Sequence, residues 1–328
     1  MDKNNNSTMW LFLVNPRAGS GKTVQEWIPA EMYLEDEGVR FEAAYTSHRK
    51  HATTMAFDAA GDGFRKVVTV GGDGSVHEVF TGLMRWCEEN GGNPADYIFG
   101  VVPIGSGNDW IKTTGIPHNP VEAVKLISNK SFRKMDVVRV EADGVPPCYM
   151  ANVAGVGFDS HVCRRVNSLK EGGHRSKWIY LDALRHSVMH GRRIDVEVIA
   201  DGQTLFSGEA YSIAVGNGKY SGGGMIQVPD AKMDDGLIDV TVVPVMKIRD
   251  ILRHVPKLFT GELKLIPELK FAQCKTLEIR PLNDASRDMV EVDGELEGKL
   301  PVKFTMTDRQ INILTGLPTS EEPSKERP

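Results

Sequence analysis

A chain of 328 residues, 41% hydrophobic and 25% charged, has the composition of a globular protein and is too long for one small domain, so two domains are expected. Its 39 basic residues against 44 acidic ones, a net charge of -5, exclude a general nucleic-acid binder. Cys87, Cys148, Cys163 and Cys274 form no close-spaced pair, which fits reduced thiols better than a disulfide frame or a zinc site. With no signal peptide or membrane span in view, a cytoplasmic protein is expected, with any membrane contact peripheral.

Met1 to Thr8 is polar, and Trp10-Leu-Phe-Leu-Val14 follows as a buried strand. The loop Asn15-Pro16-Arg17-Ala18-Gly19-Ser20-Gly21-Lys22 comes next, then a helix expected to carry Val24, Trp27, Ile28 and Met32 on one face. Pro16 stands where a Walker A loop requires its first glycine, so this is no P-loop, although it brings glycines, hydroxyls and Lys22 to a helix start. Val39, Phe41, Ala43 and Tyr45 alternate as a second strand ending at Thr46, and His51 to Ala60 suits a short helix.

Val67 to Val70 then runs into Gly71-Gly72-Asp73-Gly74-Ser75, and Val76, Val79, Phe80, Leu83, Met84 and Cys87 recur at helical spacing behind it. Glycines let a ligand approach the main chain, and N–H groups at a helix start favour an anion, so a phosphate fits there. Asp73 beside a phosphate requires an intervening cation such as Mg²⁺; otherwise this is an ordinary strand-to-helix turn with a capping Asp. Ile98 to Val102 is a further strand, ending in Pro103-Ile-Gly105-Ser106-Gly107-Asn108-Asp109. In a parallel sheet the loops after these strands share one edge and converge on a crevice. None completes G-x-G-x-x-G, because His77 and Trp110 stand at the last position, so a dinucleotide fingerprint is not supported.

After a helix around Val121 to Ile127 the period changes, and from Asp136 strands dominate: Arg193 to Ile199, Tyr211 to Val215, Leu237 to Val243, Thr276 to Arg280 and Val302 to Met306. They indicate a β-sandwich or barrel containing one helix, marked by Ile248, Ile251, Leu252, Val255, Leu258 and Phe259. Val290 to Val292 reads as a strand entering a hairpin turn at Asp293-Gly294-Glu295, and Pro318 to Pro328 as a disordered tail.

Between about Trp10 and Leu314 the motifs Asn15 to Lys22, Gly71-Gly-Asp-Gly-Ser75, Gly105-Ser-Gly-Asn-Asp109, Asn152 to Asp159, Gly216-Asn-Gly218, Ala231 to Leu237 and Val292-Asp-Gly-Glu295 occur in one order and spacing. The set resembles the diacylglycerol kinase catalytic family, which includes bacterial soluble lipid kinases and sphingosine kinases and is related in fold to NAD kinases and phosphofructokinases. The resemblance implies an α/β N-terminal nucleotide-binding domain with a parallel sheet and a C-terminal β-sandwich, with the active site in the interdomain cleft. The expected bounds are residues 9–135, completed by about 308–317 returning to it, then 136–307 for the lipid-substrate sandwich and 318–328 for the tail.

By position, the resemblance assigns ATP to Asn15, Pro16, Arg17, Gly19, Ser20, Gly21, Lys22, Thr46, Gly71, Gly72, Asp73, Gly74, Ser75, His77, Ser106 and Asn108. Asp73 would act on the phosphates through Mg²⁺, with Asp109 close by. The family's base falls on Asp293, with Glu295 beside it, and a carboxylate there supplies what a weakly nucleophilic lipid hydroxyl lacks. A second Mg²⁺ would rest on the carbonyls of Lys232 and Leu237 and the side chain of Asp235, reaching Asp136 through water, although Asp234-Asp235-Gly236 is equally a good hairpin turn. Trp110-Ile-Lys112 stands where the family often has Phe-Ala-Arg, which bears on the substrate side.

The expected reaction is ATP- and Mg²⁺-dependent phosphorylation of diacylglycerol or a similar lipid, with a sphingoid base, ceramide or phosphatidylglycerol as other acceptors. Rival readings are a soluble NAD kinase-like enzyme, which shares the Gly-Gly-Asp-Gly turn, and a non-catalytic nucleotide-binding regulator. The eight Lys and Arg residues between Arg164 and Arg193, interleaved with Trp178, Tyr180, Leu181 and Val188, suit either an anionic membrane surface or a solvated helix face. A homodimer is compatible with the sequence without being specified by it.

Overall fold

A computed structural model describes residues 6–105, 107–158, 160, 163 and 193–318. Ser106, Asp159, most of the basic segment from Arg164 and the tail from Thr319 lie outside the described residues. The chain divides into two compact units, residues 1–135 with 309–328 and residues 136–308.

The first unit is a parallel sheet with helices between its strands. β1 (Trp10–Val14), β2 (Phe41–Tyr45), β3 (Lys66–Gly71) and β4 (Ile98–Pro103) are ordered β4-β3-β1-β2, in parallel register throughout. β1 is buried at every residue, and β3 and β4 are buried beyond their first, as strands covered on both faces must be. Helices Thr23–Asp36, His51–Gly61, Asp73–Asn90, Trp110–Thr114 and Pro120–Ser128 connect them. In Thr23–Asp36 the buried side is Thr23, Trp27, Ala30 and Leu34, with Trp27 against Phe12 at 4.9 Å between ring centroids. Val24, Ile28 and Met32, expected on that face with Trp27, are instead exposed at 40%, 46% and 58%. The cause is geometric: a stripe of i, i+4, i+8 residues formed the larger apolar pattern, but the sheet accepts the narrower side offered by Ala30 and Thr23 around one Trp.

The second unit holds β5 (Phe132–Asp143, from Asp136 on), β6 (Cys148–Met150), β7 (Val153–Gly157), β8 (Ile194–Ala200), β9 (Gln203–Gly216), the short pair β10 (Tyr220–Ser221) and β11 (Met225–Ile226), β12 (Ile238–Pro244), β13 (Lys270–Cys274), β14 (Thr276–Pro281), β15 (Met289–Val292) and most of β16 (Glu295–Leu314). The pairings β9-β7-β15-β16-β14-β8 return from β8 to β9 and close a circuit. This works because β9 and β16 are 14 and 20 residues long, enough to pair in succession with two different strands on one side. One core of Val138, Val156, Val196, Ile213, Ile279, Phe304 and their neighbours fills it, a sandwich in which two strands belong to both layers. The helix expected across Ile248 to Phe259 is broken into Ile248–His254 and Lys257–Thr260, because Pro256 has no N–H to continue the first. The last residues of β16 lie in the first unit, where Asn312 and Ile313 pair in parallel with Ile98 and Phe99 of β4.

Candidate functional site

Within the first unit the loops after β1, β3 and β4 are fastened to one another. Asn15 follows β1: its Nδ2 donates to Ser75 Oγ at 3.1 Å, while its Oδ1 accepts the Arg17 N–H at 3.0 Å and turns the chain past Pro16. Gly19–Gly21 forms one 3₁₀ turn leading to the exposed Lys22 and the helix from Thr23. Thr46 stands at the same sheet edge, its N–H donating to the Val14 carbonyl at 2.9 Å. Two turns meet backbone to backbone, since a Cβ on Gly72 would lie 2.8 Å from the Gly107 carbonyl oxygen and one on Gly105 would lie 2.9 Å from Gly72 Cα. Only glycine permits that approach.

Asp73 completes the junction. Its backbone N–H donates to the Gly107 carbonyl at 3.2 Å, and its carboxylate accepts the N–H groups of Asp109, at 3.0 and 2.9 Å, and Trp110, at 3.1 Å. Asp73 therefore does cap a helix, but the one beginning at Trp110 rather than its own. Asp109 is buried and paired with Lys112 Nζ at 2.7 Å. Asn108 Nδ2 donates to the Gly105 carbonyl at 3.1 Å, whereas its Oδ1 is buried without a hydrogen-bond partner among the described residues. An orphaned acceptor inside a cluster of glycine turns fits a ligand bearing hydroxyl or amine donors, as a nucleotide does. Gly71 ends β3, Gly72 and Gly74 flank Asp73, Ser75 and His77 are buried in the helix that Asp73 opens, and Ser106 lies outside the described residues, as does the placement of the Ser20 side chain.

In the second unit Asp293 and Gly294 sit at φ 51° and 90° between β15 and β16, the pair of positive angles that defines a type I′ hairpin. Asp293 is 5% exposed, and its two carboxylate oxygens accept one backbone N–H each, from Ala151 at 2.9 Å and Asn152 at 2.8 Å. Its own N–H donates to the Val153 carbonyl at 2.9 Å, and Glu291 Oε1 accepts the Gly294 N–H and closes the turn. The two N–H groups hold the carboxylate in place at the turn. Glu295 is half-buried one residue beyond the turn.

The expected cation loop lies in this unit as well. Leu237 N–H returns to Asp235 Oδ1 at 3.1 Å, and Asp136, buried at 3% exposure, accepts the Gly236 N–H at 2.7 Å while its own N–H donates to the Met233 carbonyl at 2.6 Å. Asp136 thus grips the loop directly through its backbone, beside any water-mediated role. The donor set of Asp235, Asp136 and the carbonyls of Lys232 and Leu237 is all oxygen and suits a hard divalent ion. Charge points the same way: burial pushes the neighbouring Asp239 up to about 6, with Gln273 opposing through a hydrogen bond and the carboxylates of Asp235 and Asp230 pushing further. A bound cation would relieve that repulsion.

Sequence reasoning assigned no role to Asn152, Glu291, Asn217 or Asp239. Asn152 donates to Asp293, and its carbonyl accepts the N–H groups of Asn217 and Gly218, both at 2.8 Å; Asn217 Nδ2 in turn donates to the Asp136 carbonyl at 3.1 Å. A continuous hydrogen-bonded path therefore joins the Asp293 turn to the Asp136 loop. The available signal was Asn217 within Gly216-Asn-Gly218, whose side-chain amide can reach a second loop, whereas Asn152 joins the path through main-chain groups that any residue offers.

Residues 9–140 match the diacylglycerol kinase catalytic domain, and residues 152–315 match the YegS C-terminal NAD kinase beta sandwich-like domain. A protein of Xanthomonas euvesicatoria pv. vesicatoria named "Probable lipid kinase YegS-like" is 30% identical over 237 residues, covering 72% of this chain and 73% of its own. A Mycobacterium tuberculosis diacylglycerol kinase is 25% identical over 303 residues, 92% of this chain and 93% of its own. The crystal structure of a diacylglycerol kinase from Bacillus anthracis superposes with a TM-score of 0.68 over 94% of this chain and 97% of that one, at 22% identity, a likeness of fold. Two adjoining domain matches in this order, over the glycine turns and the Asp293 hairpin just described, establish that the chain belongs to the diacylglycerol kinase catalytic family of lipid kinases, with a YegS-type sandwich as its second domain.

Proposed function

We propose that this protein transfers the γ-phosphate of ATP to the hydroxyl of diacylglycerol or a lipid of similar head. The observation that carries the proposal is Asp293: a buried carboxylate, fixed by two backbone N–H groups on a left-handed turn. Asp293 accepts the proton of the lipid hydroxyl as the oxygen attacks the γ-phosphorus; a new P–O bond forms, the bond to the β-phosphate oxygen breaks, and ADP departs. Glu295 supports the proton's transfer beside it. The loop at Asn15 and the glycine turns around Gly72 to Gly74 and around Gly105, Gly107 and Asn108 would hold the nucleotide, with the Asn108 acceptor among them, and Asp73 holds the two turns in register. Mg²⁺, when bound to the phosphates, would neutralise the charge that builds up in transfer.

Asp235, Asp136 and the carbonyls of Lys232 and Leu237 would hold a second, structural Mg²⁺, and the path through Asn217 and Asn152 supports a link from that ion to the Asp293 turn. Because the acceptor is a lipid, we place the reaction at a membrane surface, which the basic sequence from Arg164 to Arg193 supports. Labelled ATP with Mg²⁺ and a panel of diacylglycerol, sphingosine, ceramide and phosphatidylglycerol in mixed micelles tests the reading, with NAD⁺ as the soluble control. Label entering diacylglycerol is expected. Label in NAD⁺ alone, or in no acceptor, overturns it in favour of an NAD kinase-like enzyme or a nucleotide-binding regulator.

A further inference from the structure

The second unit carries an added helical segment. β12 and β13 are antiparallel neighbours, with Val242 opposite Lys270, and a hairpin between them needs only a few residues. Residues 245–269 stand there instead, as Ile248–His254, Lys257–Thr260 and a 3₁₀ turn at Glu262–Leu265. One side of this segment packs down, since Leu263, Ile266 and Leu269 are buried against Val243 of β12 and Phe271 of β13. Val243 lies on the outer face of its strand, because the main core takes Ile238, Val240 and Val242.

The other side combines apolar and basic groups where it meets solvent. Phe259 and Leu265 are 52% and 65% exposed, two of the three large hydrophobic side chains exposed in this unit among the described residues. Leu263, Ile266 and Leu269 already fill the segment's own small core, so neither side chain is needed there. Val255, at φ -48° and ψ -43°, and Pro256, at φ -57° and ψ -31°, keep the helical winding across the break between the two helices. At about 100° per residue, Arg249, Arg253, Pro256 and Thr260 then share one sector, with Phe259 at its border, and all five are exposed.

Between Lys247 and Lys270 six Lys and Arg stand against three acids, a surplus of positive charge in a chain of net charge -5. Arg249 pairs with its neighbour Asp250 at 3.7 Å and Lys264 with Asp230, whereas Lys247, Arg253, Lys257 and Lys270 have no ion-pair partner among the described residues. Lys and Arg alone would make an ordinary solvated face; here they surround an exposed aromatic ring and an exposed Leu. We propose that this face of the second unit docks on an anionic lipid bilayer, with Phe259 and Leu265 entering the interface while Arg249, Arg253 and Lys257 meet the headgroup anions. A protein partner calls for a contiguous apolar patch, whereas separate apolar side chains in a basic field suit a fluid surface that moulds around them. The inference rests on the reading of the acceptor as a membrane lipid, and it concerns a different stretch from the basic sequence between Arg164 and Arg193.

The test is flotation of the full chain, without ATP, on vesicles of phosphatidylcholine alone or of equal parts phosphatidylcholine and phosphatidylserine, with far-UV circular dichroism on each variant. The wild type is expected to float with the anionic vesicles only and to lose that binding as salt is raised. Phe259→Ser with Leu265→Ser, and Arg249→Glu with Arg253→Glu, are each expected to weaken binding about tenfold or more while the fold persists. Both pairs are expected to phosphorylate a short-chain diacylglycerol dissolved in water as the wild type does, and to lose turnover on the long-chain lipid in vesicles. A wild type that does not float overturns the proposal, as does floating undiminished in both paired variants or lost only on charge reversal at Arg185 and Arg192. Floating that both pairs abolish, with no transfer to either form of the lipid, upholds the docking face and overturns the kinase reading instead.

Discussion

Asp73 and Asp293 perform one structural task in two settings. Each carboxylate gathers two consecutive backbone N–H groups from a segment far away in the chain, Asp109 and Trp110 in one case and Ala151 and Asn152 in the other. Asp73 does so from the first position of its own long helix, half-buried, and its acceptors cap a second helix. Asp293 does so from a left-handed turn at 5% exposure, where its N–H groups come from the end of one strand and the approach to the next. The difference teaches that the first acid fastens two glycine turns to each other, whereas the second is itself a side chain fixed in a turn, the setting the proposed base requires.

The widest separation between the two roles comes from Asp293→Asn. Asn tolerates the left-handed angle, so the hairpin persists, although its amide N–H₂ meets one backbone N–H and costs about 1–3 kcal/mol of stability. Turnover is expected to fall about 10²- to 10⁴-fold, the usual worth of a positioned base, with ATP affinity unchanged because the residues proposed to hold the nucleotide lie in the other unit. Single-turnover kinetics beside ATP titration reads both quantities; full turnover in the variant removes Asp293 from the reaction. A smaller effect concerns the loop tied to Asp293 through Asn152 and Asn217. Mg²⁺ at about a hundredfold excess over its dissociation constant is expected to stabilise the wild type by about 2.7 kcal/mol, and Asp235→Ala to lose that gain in thermal unfolding while retaining its fold. An equal gain in Asp235→Ala would leave the loop as the hairpin turn its sequence also permits.

Much of this was legible in the chain. β1, β3 and β4 announced themselves as continuous apolar runs because both of their faces are covered. Asp293-Gly294 read as a hairpin because that dipeptide suits two positive φ angles. The apolar face of Thr23–Asp36 was misread, since hydrophobicity marks Val24, Ile28 and Met32 more strongly than the small Thr23 and Ala30 that fit against the sheet. The partners of Asp73 lie 36 and 37 residues away, and those of Asp293 lie 142 and 141. Spacing rules see neighbours on one helix or strand, so the fastening role of both acids emerged only with the fold. The raised Asp239 was hidden for the same reason, because Asp230 and Gln273 approach it from outside its own strand.

Asp73→Ala sharpens the comparison from the other side. It removes the cap of Trp110–Thr114 and the tie between the two glycine turns, so thermal unfolding of the first unit is expected to shift by about 1–2 kcal/mol and ATP affinity to weaken with it. Weakened turnover with stability and ATP affinity intact would instead make Asp73 a group that acts on the reacting phosphate and break the distinction drawn above.

The smallest effect is expected at a thiol. Burial pushes Cys87 up to about 11 and Cys274 up to about 12, and Cys148 is buried as well, so at pH 8 the first two hold almost no thiolate. Cys163 is half-exposed, and its Sγ donates to the Gly294 carbonyl at 3.1 Å, next to Asp293. A disulfide reagent is therefore expected to label one thiol per folded chain and the rest only in denaturant. Labelling at Cys163 removes that contact, so turnover is expected to fall partially while the response of ATP binding stays flat. A matching loss of ATP affinity would show that the label perturbs the nucleotide unit, and the Gly294 contact would then carry no part of the effect.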